Sequence, residues 1–281
     1  MSSLLCLPAF SAYAALSFSL ALALPATAQI GASAPRVQSD LKDIRMKAIA
    51  SLPKAGGSAS DRDGCPWRVA KPKSATAKLV AAQGWAVMAD VPLGAYRAVG
   101  FAGRMEPGTS GTCNITQGNV ALFDGDRLFA LAYGKSAEDT SIGNLSLLEG
   151  GTVRVWDGDI VGAPVGDLRI DADGTVRLGK LADEESVCNG RAKVPNIYGM
   201  PIDKARQALA GKGWKPVRIK PDGESRQAGL IRRGIVEAES CAGTGLAYCS
   251  FSYTGVAGTL SLITAGEKGL PDAVGYDVKC R

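Results

Sequence analysis

The sequence predicts an α+β protein that is mainly β, a small antiparallel barrel or sandwich followed by a helix-plus-sheet module. Three observations carry this expectation. Short runs rich in Val, Leu and aromatics recur through residues 85–181, separated by Gly- and Asp-rich turns. One clearly amphipathic helical stretch follows them, starting near Ile202. Six of the seven cysteines lie beyond residue 28 and none forms a CxxC pair. In an exported chain such an even set reads as disulfides rather than a redox motif or zinc ribbon.

In chain order, residues 1–28 contain no charged residue, and residues 12–24 are almost wholly apolar. Pro25 and then Ala26-Thr27-Ala28 form a small-x-small cleavage pattern, so 1–28 are expected to be a signal peptide. No later run is long and apolar enough to span a bilayer, so the mature chain is expected to carry no transmembrane anchor. Residues 29–57 are assigned to an N-terminal helix and linker. Val37, Leu41, Ile44, Ala48 and Leu52 fall on one helical face, and KAGGSASDRDG then reads as a loop. The β-rich domain is assigned to 58–190. Ser74 is placed to cap a short helix, ATAKLVAAQ, that stops at Gly84. The runs GWAVMADV, YRAVGFAG, NVALF, RLFALAYG, GTVRVW, GDLRID and GTVRLG read as strands. Phe123-Asp124-Gly125-Asp126-Arg127 and Asp171-Ala172-Asp173-Gly174 read as tight hairpin connections. Residues 182–193, ADEESVCNGRAK, read as a linker into a last domain at 191–281.

The chain has no histidine. That removes His-based triads, His-ligated zinc and His-based pH switching, so enzymes are disfavoured. No metal or cofactor is called for. The net charge of +5 is uneven: from Lys193 onward there are 13 Lys plus Arg against 8 Asp plus Glu, and residues 29–192 are neutral. A basic excess on one small module suits an anionic polymer or surface, and export argues against nucleic acid.

The last segment carries a family resemblance. Val194-Pro195 and Gly199-Met200 open it, Ala205, Leu209 and Gly213 follow at helical spacing, and a strand is expected over 214–220. Pro195 favours an extended entry, and Ile202, Ala205 and Leu209 form the buried stripe of a helix ended by Gly211 or Gly213. In this pattern residues 194–267 resemble the PASTA module, a small wall-binding repeat of bacterial envelope proteins. The family's Glu before the helix Ala is Lys204 here, and its Ser-Pro-x-x-Gly turn becomes Ser240-Cys241-Ala242-Gly243-Thr244. The insertion PDGESRQAGLIRR and the tail after Glu267 are longer than usual. The resemblance implies contact with peptidoglycan or another anionic wall component. Lys204, Lys215, Arg218 and Arg232 are the candidate contacts, on charge alone.

Cys65, Cys113, Cys188, Cys241, Cys249 and Cys280 are the disulfide candidates. Three precede the last domain and three lie within it, so full pairing needs at least one bond between the two parts. CAGTGLAYC reads as a hairpin closed by Cys241 and Cys249, and the other pairings stay open. Ser39-Asp40-Leu41-Lys42 matches the SxxK string, but its SDN and KTG companions are absent, and Ser39 is more simply a helix cap. Asp171–Gly174 lacks the ligands of a calcium loop. The acidic run Asp183-Glu184-Glu185 is read as solvated linker rather than a hydrolytic carboxylate pair. Among Trp67, Trp85, Trp156 and Trp214, Trp67 is expected to be the most exposed. Ser110 lies in GTSGTC, which lacks the GxSxG elbow. These features point to an exported, non-enzymatic envelope-binding or accessory protein of the periplasm or exterior. A secreted hydrolase inhibitor and a His-free hydrolase are the alternatives.

Overall fold

The computed structural model describes residues 34–108, 112–136, 141–158, 163–243 and 245–281. The expected signal peptide and Ser110 lie outside the described residues. The first part of the fold runs β1 (Val37–Ser39), β2 (Ile44–Ala48), α1 (Ala75–Ala82), β3 (Ala86–Leu93), β4 (Tyr96–Ala102), β5 (Arg104–Pro107), β6 (Cys113–Thr116), β7 (Asn119–Asp124), β8 (Arg127–Gly134), β9 (Asn144–Leu147), β10 (Val153–Asp157), β11 (Ala163–Ile170) and β12 (Val176–Gly179). The second runs β13 (Glu184–Val187), β14 (Ala192–Pro195), α2 (Ile202–Gly211), β15 (Lys215–Pro216), α3 (Arg226–Arg232), β16 (Ala238–Cys241), β17 (Cys249–Gly255), β18 (Gly258–Ala265) and β19 (Asp272–Cys280).

The α+β expectation is corrected. Strand makes up 44% and helix 13% of the described residues, there are three α-helices among them, and no sheet closes into a barrel. The fold is β-rich. One sheet has the order β1-β12-β11-β10-β9 and a second β2-β8-β7-β4-β3. They share an apolar core that includes Val153, Val155, Leu168 and Val176 from the first and Val120, Leu122, Ala130 and Ala132 from the second. The β1–β12 pair is parallel, so the pairing is not purely antiparallel. The other face of the second sheet is covered by α1, whose Ala77 and Val80 pack with Val99, Phe101, Ala121 and Phe123. Gly100 and Gly118 allow the backbone at Ile142 and Gly143 to cross this sheet, because a Cβ on either would strike a carbonyl oxygen there.

The helix expected over 37–52 is the chief local correction. Its first half makes β1 and its second half β2, which pairs with β8. Ser39 caps no helix: its Oγ donates to the Ile44 carbonyl at 2.6 Å and accepts from the Leu41 amide, turning the chain between the two sheets. Val37, Leu41 and Ile44 still enter the shared core and Leu52 packs in the cluster under α1, while Ala48 is exposed, so the helical period does not describe which positions are buried. Pairing with distant strands decides the backbone here, over local spacing. The expected linker at 182–193 is likewise ordered, as the β13–β14 hairpin.

Other expectations hold. Ser74 caps α1 by accepting from the Ala77 amide at 3.0 Å. Asp124 and Arg127 close the β7–β8 turn, and the Asp171–Gly174 turn joins β11 to β12. Helix α2 buries Ile202, Ala205 and Leu209 and ends at Gly213, whose φ of +84° suits the left-handed position after a helix. It packs with β17, β18 and β19 in a core that includes Trp214, Phe251, Tyr253, Leu260 and Leu262. In the third sheet, ordered β15-β17-β18-β19, β16 also pairs with β17. The strand expected over 214–220 shortens to β15, though the Val217 and Ile219 amides still donate to Ser252 and Val236.

Candidate functional site

All four candidate cations are exposed on the C-terminal module, on separate segments. Lys204 stands on α2, Lys215 on β15 and Arg218 in the extended stretch after it. Arg232 ends α3 and lies 3.9 Å from Glu224, an exposed pair worth at most about 1 kcal/mol. Lys215 and Arg218 are an odd number of positions apart in extended chain, which turns them to opposite sides.

Arg206, not among those four, is the cation that α2 uses internally. Its Nε lies 3.0 Å from Oε1 of Glu237, which is fully buried, and one of its NH groups donates to the Gly234 carbonyl. The Tyr253 hydroxyl donates to the same Glu237 oxygen at 2.9 Å. Burial pushes the Tyr253 pKa up, and the Glu237 charge pushes it further. Helix and sheet are thus tied by a charge-assisted chain as well as by packing.

The structure assembles a second buried network where the first sheet meets the C-terminal module. Arg154 on β10 and Asp167 on β11 are each 3% exposed and form a two-pronged pair at 2.9 and 3.2 Å. The third prong of Arg154 donates to Glu185 of β13 at 2.8 Å. Glu185 also accepts from the Tyr276 hydroxyl of β19 at 2.7 Å. The Arg154 guanidinium lies over the Tyr198 ring at 5.6 Å, and that ring packs against Trp156 and Tyr276. Burial works against the Arg154 charge, but Asp167, Tyr198 and Glu185 outweigh it and raise its pKa. Burial also raises Tyr276, reinforced by Tyr198 and Glu185.

This geometry disposes of the acidic run as a hydrolytic pair. Glu185 is held by Arg154 and Tyr276. Glu184 is held by Lys212 at 2.5 Å and Lys193 at 3.7 Å, and the Lys212 bond holds its carboxyl below the usual range. The Asp171 carboxylate is likewise taken by Arg177 and Arg169, and Asp173 by Arg36 and the Thr175 amide. Among the described residues, no group of three His, Cys, Asp or Glu side chains is placed to hold a metal.

The cysteines pair as Cys65–Cys113, Cys188–Cys280 and Cys241–Cys249. The last is the expected hairpin closure, and Cys188–Cys280 is the bond expected to cross residue 191, although the structure packs Cys188 itself in the core of the C-terminal module. Trp67 is 57% exposed, the most open of the four tryptophans, and Trp214 is buried with its Nε1 donating to the Lys193 carbonyl. Trp156 donates to Ser146, and Trp85 to the Pro53 carbonyl. Sequence reasoning missed Arg154, Glu185 and Tyr276 as a unit. Its one local trace is an Arg within the apolar run Val153-Arg154-Val155, where all three residues are buried. No family model matches this chain, and no match is found among curated proteins or solved structures.

Proposed function

We propose that this is an exported, non-enzymatic accessory protein of a bacterial cell envelope. Its C-terminal PASTA-like module contacts peptidoglycan or another anionic wall component. The observation that carries the reading is an extended Val194-Pro195 entry leading to a helix packed on a sheet, with Lys204, Lys215 and Arg218 exposed on it. The module also holds the chain's whole charge excess. Three disulfides fit an oxidising compartment, and no helix among the described residues is long and apolar enough to cross a membrane. The periplasm or the exterior is the proposed location.

The test is co-sedimentation of the intact mature chain with insoluble peptidoglycan at low and moderate salt. Deleting the module is a poor control, because it would strip Cys188 of its partner and Glu185 of Tyr276. A triple charge reversal, Lys204→Glu, Lys215→Glu and Arg218→Glu, leaves the core alone. Saturable pelleting that weakens with salt and falls at least tenfold in the triple variant is expected. Absence of pelleting, or pelleting unchanged by charge reversal, would remove wall contact through this module.

A further inference from the structure

We propose that the outer face of the second sheet carries a groove for an acidic oligosaccharide, independent of the C-terminal module. Helix α1 and the chain at Ile49 and Leu52 cover only part of this face. Beside the cover lies a cleft of about 420 Å³, within the size range of small-ligand sites. The strand register sets its chemistry. Arg45 of β2 pairs with Tyr133 of β8, Tyr133 with Asn119 of β7, and Asn119 with Phe101 of β4, giving one row across four strands. Their neighbours Ile44, Met46, Ala132 and Val120 face the core, so the row faces outward. Lys47 lies on the same face and lines the cleft with Tyr133, Asn119, Gln117 and Trp85.

The walls are preformed. Trp85 is fixed at one end by its bond to the Pro53 carbonyl at 2.9 Å and packs edge-on against Phe101 at 5.0 Å. Gln117 holds a φ of +55°, a left-handed conformation uncommon for a residue with a side chain. Gly103 makes room for it, since a Cβ there would strike the Gln117 side-chain oxygen and press on the Trp85 ring. Asn119 donates one of its two Nδ2 hydrogens to the Gln117 backbone carbonyl at 2.7 Å, which fixes the orientation of its side-chain amide. Strained backbone held by surrounding structure is a recurrent mark of ligand sites.

Among the described residues no Asp or Glu lines the cleft, while Lys47 lines it and Arg45 stands beside Tyr133 at the end of the same row. Aromatic faces suit the apolar side of a pyranose ring, amides suit its hydroxyls, and the two cations suit a sugar carboxylate. A peptide is the less suited occupant, because β7 and β8 beneath the cleft are paired on both sides and offer no free ladder.

The test is calorimetric titration of the intact mature chain with two acidic tetrasaccharides, one of galacturonate and one of alternating N-acetylglucosamine and N-acetylmuramate. A neutral N-acetylglucosamine tetramer and hexaglutamate are the comparators. Binding of at least one acidic sugar is expected, at least tenfold tighter than either comparator. Lys47→Glu and Tyr133→Ala should each weaken it at least tenfold, and Lys47→Glu, at an exposed position, should keep the native melting temperature. The triple charge reversal on the module should leave this binding unchanged, which separates the groove from wall contact by the module. Failure of both acidic sugars, equal binding of hexaglutamate, or binding insensitive to both groove variants would overturn the proposal.

Discussion

At the scale of the residue, Arg154 decides how the molecule holds together. It satisfies Asp167 on its own sheet and Glu185 on the β13–β14 hairpin, and both partners depend on it. Removing one member of a buried ion pair costs about 3–5 kcal/mol, because the remaining charge stays in a medium that solvates it poorly. Arg154→Ala is therefore expected to lower stability by about that amount in urea unfolding, since Asp167 would keep the Ala182 amide but lose its guanidinium. The double change Arg154→Met with Asp167→Leu should cost clearly less, since it leaves no uncompensated charge between those two. Equal losses in the single and double variants would show that Asp167 is not what suffers. Little of this was legible in the sequence. Glu185 sits in an acidic run that reads as solvent-facing, and its partners are 31 and 91 positions away. Nothing local to residue 185 signals either contact.

At the scale of the element, local chemistry and distant pairing divide the outcome. Helix α2 was legible because its stripe of Ile202, Ala205 and Leu209, with Gly213 as its stop, is complete within one stretch. The hairpin turns were legible for the same reason, and so was the Cys241–Cys249 closure. Strands β1 and β2 were not, because the spacing of Val37, Leu41, Ile44 and Ala48 also satisfies a helix and only the edges of two distant sheets break the tie. The four cations were chosen on charge alone and stand exposed, whereas Arg206 and Glu237 could be recognised only once α2 lay on its sheet. Leu209 tests how much α2 depends on that packing. Leu209→Ala should destabilise the protein by about 2–5 kcal/mol, far beyond the small difference in helix propensity between the two residues. A loss under about 1 kcal/mol would mean that the helix is held chiefly by its ionic chain.

At the scale of the whole molecule, β1–β12 and the C-terminal module are joined by the Arg154 network and by Glu149, whose carboxylate accepts from the Asn189 and Gly190 amides of a hairpin that Cys188–Cys280 pins to the last strand. That disulfide closes a sequence separation of 92 residues, so most of its effect falls on the unfolded chain. Replacing both cysteines by Ser is expected to cost about 2–4 kcal/mol in urea unfolding, with the native-state circular dichroism spectrum kept. A changed native spectrum would instead assign the bond a part in shaping the hairpin. The segment of β1 and β2 has a consequence of another kind. One short stretch of chain supplies the outermost strand of both facing sheets, crossing between them at Ser39. Proteolytic trimming through residue 48 would bare β12 and β8 together, and unpaired strands invite pairing with other chains. A nicked population would tend to polymerise edge to edge, so that integrity near the amino end governs whether the protein stays dispersed.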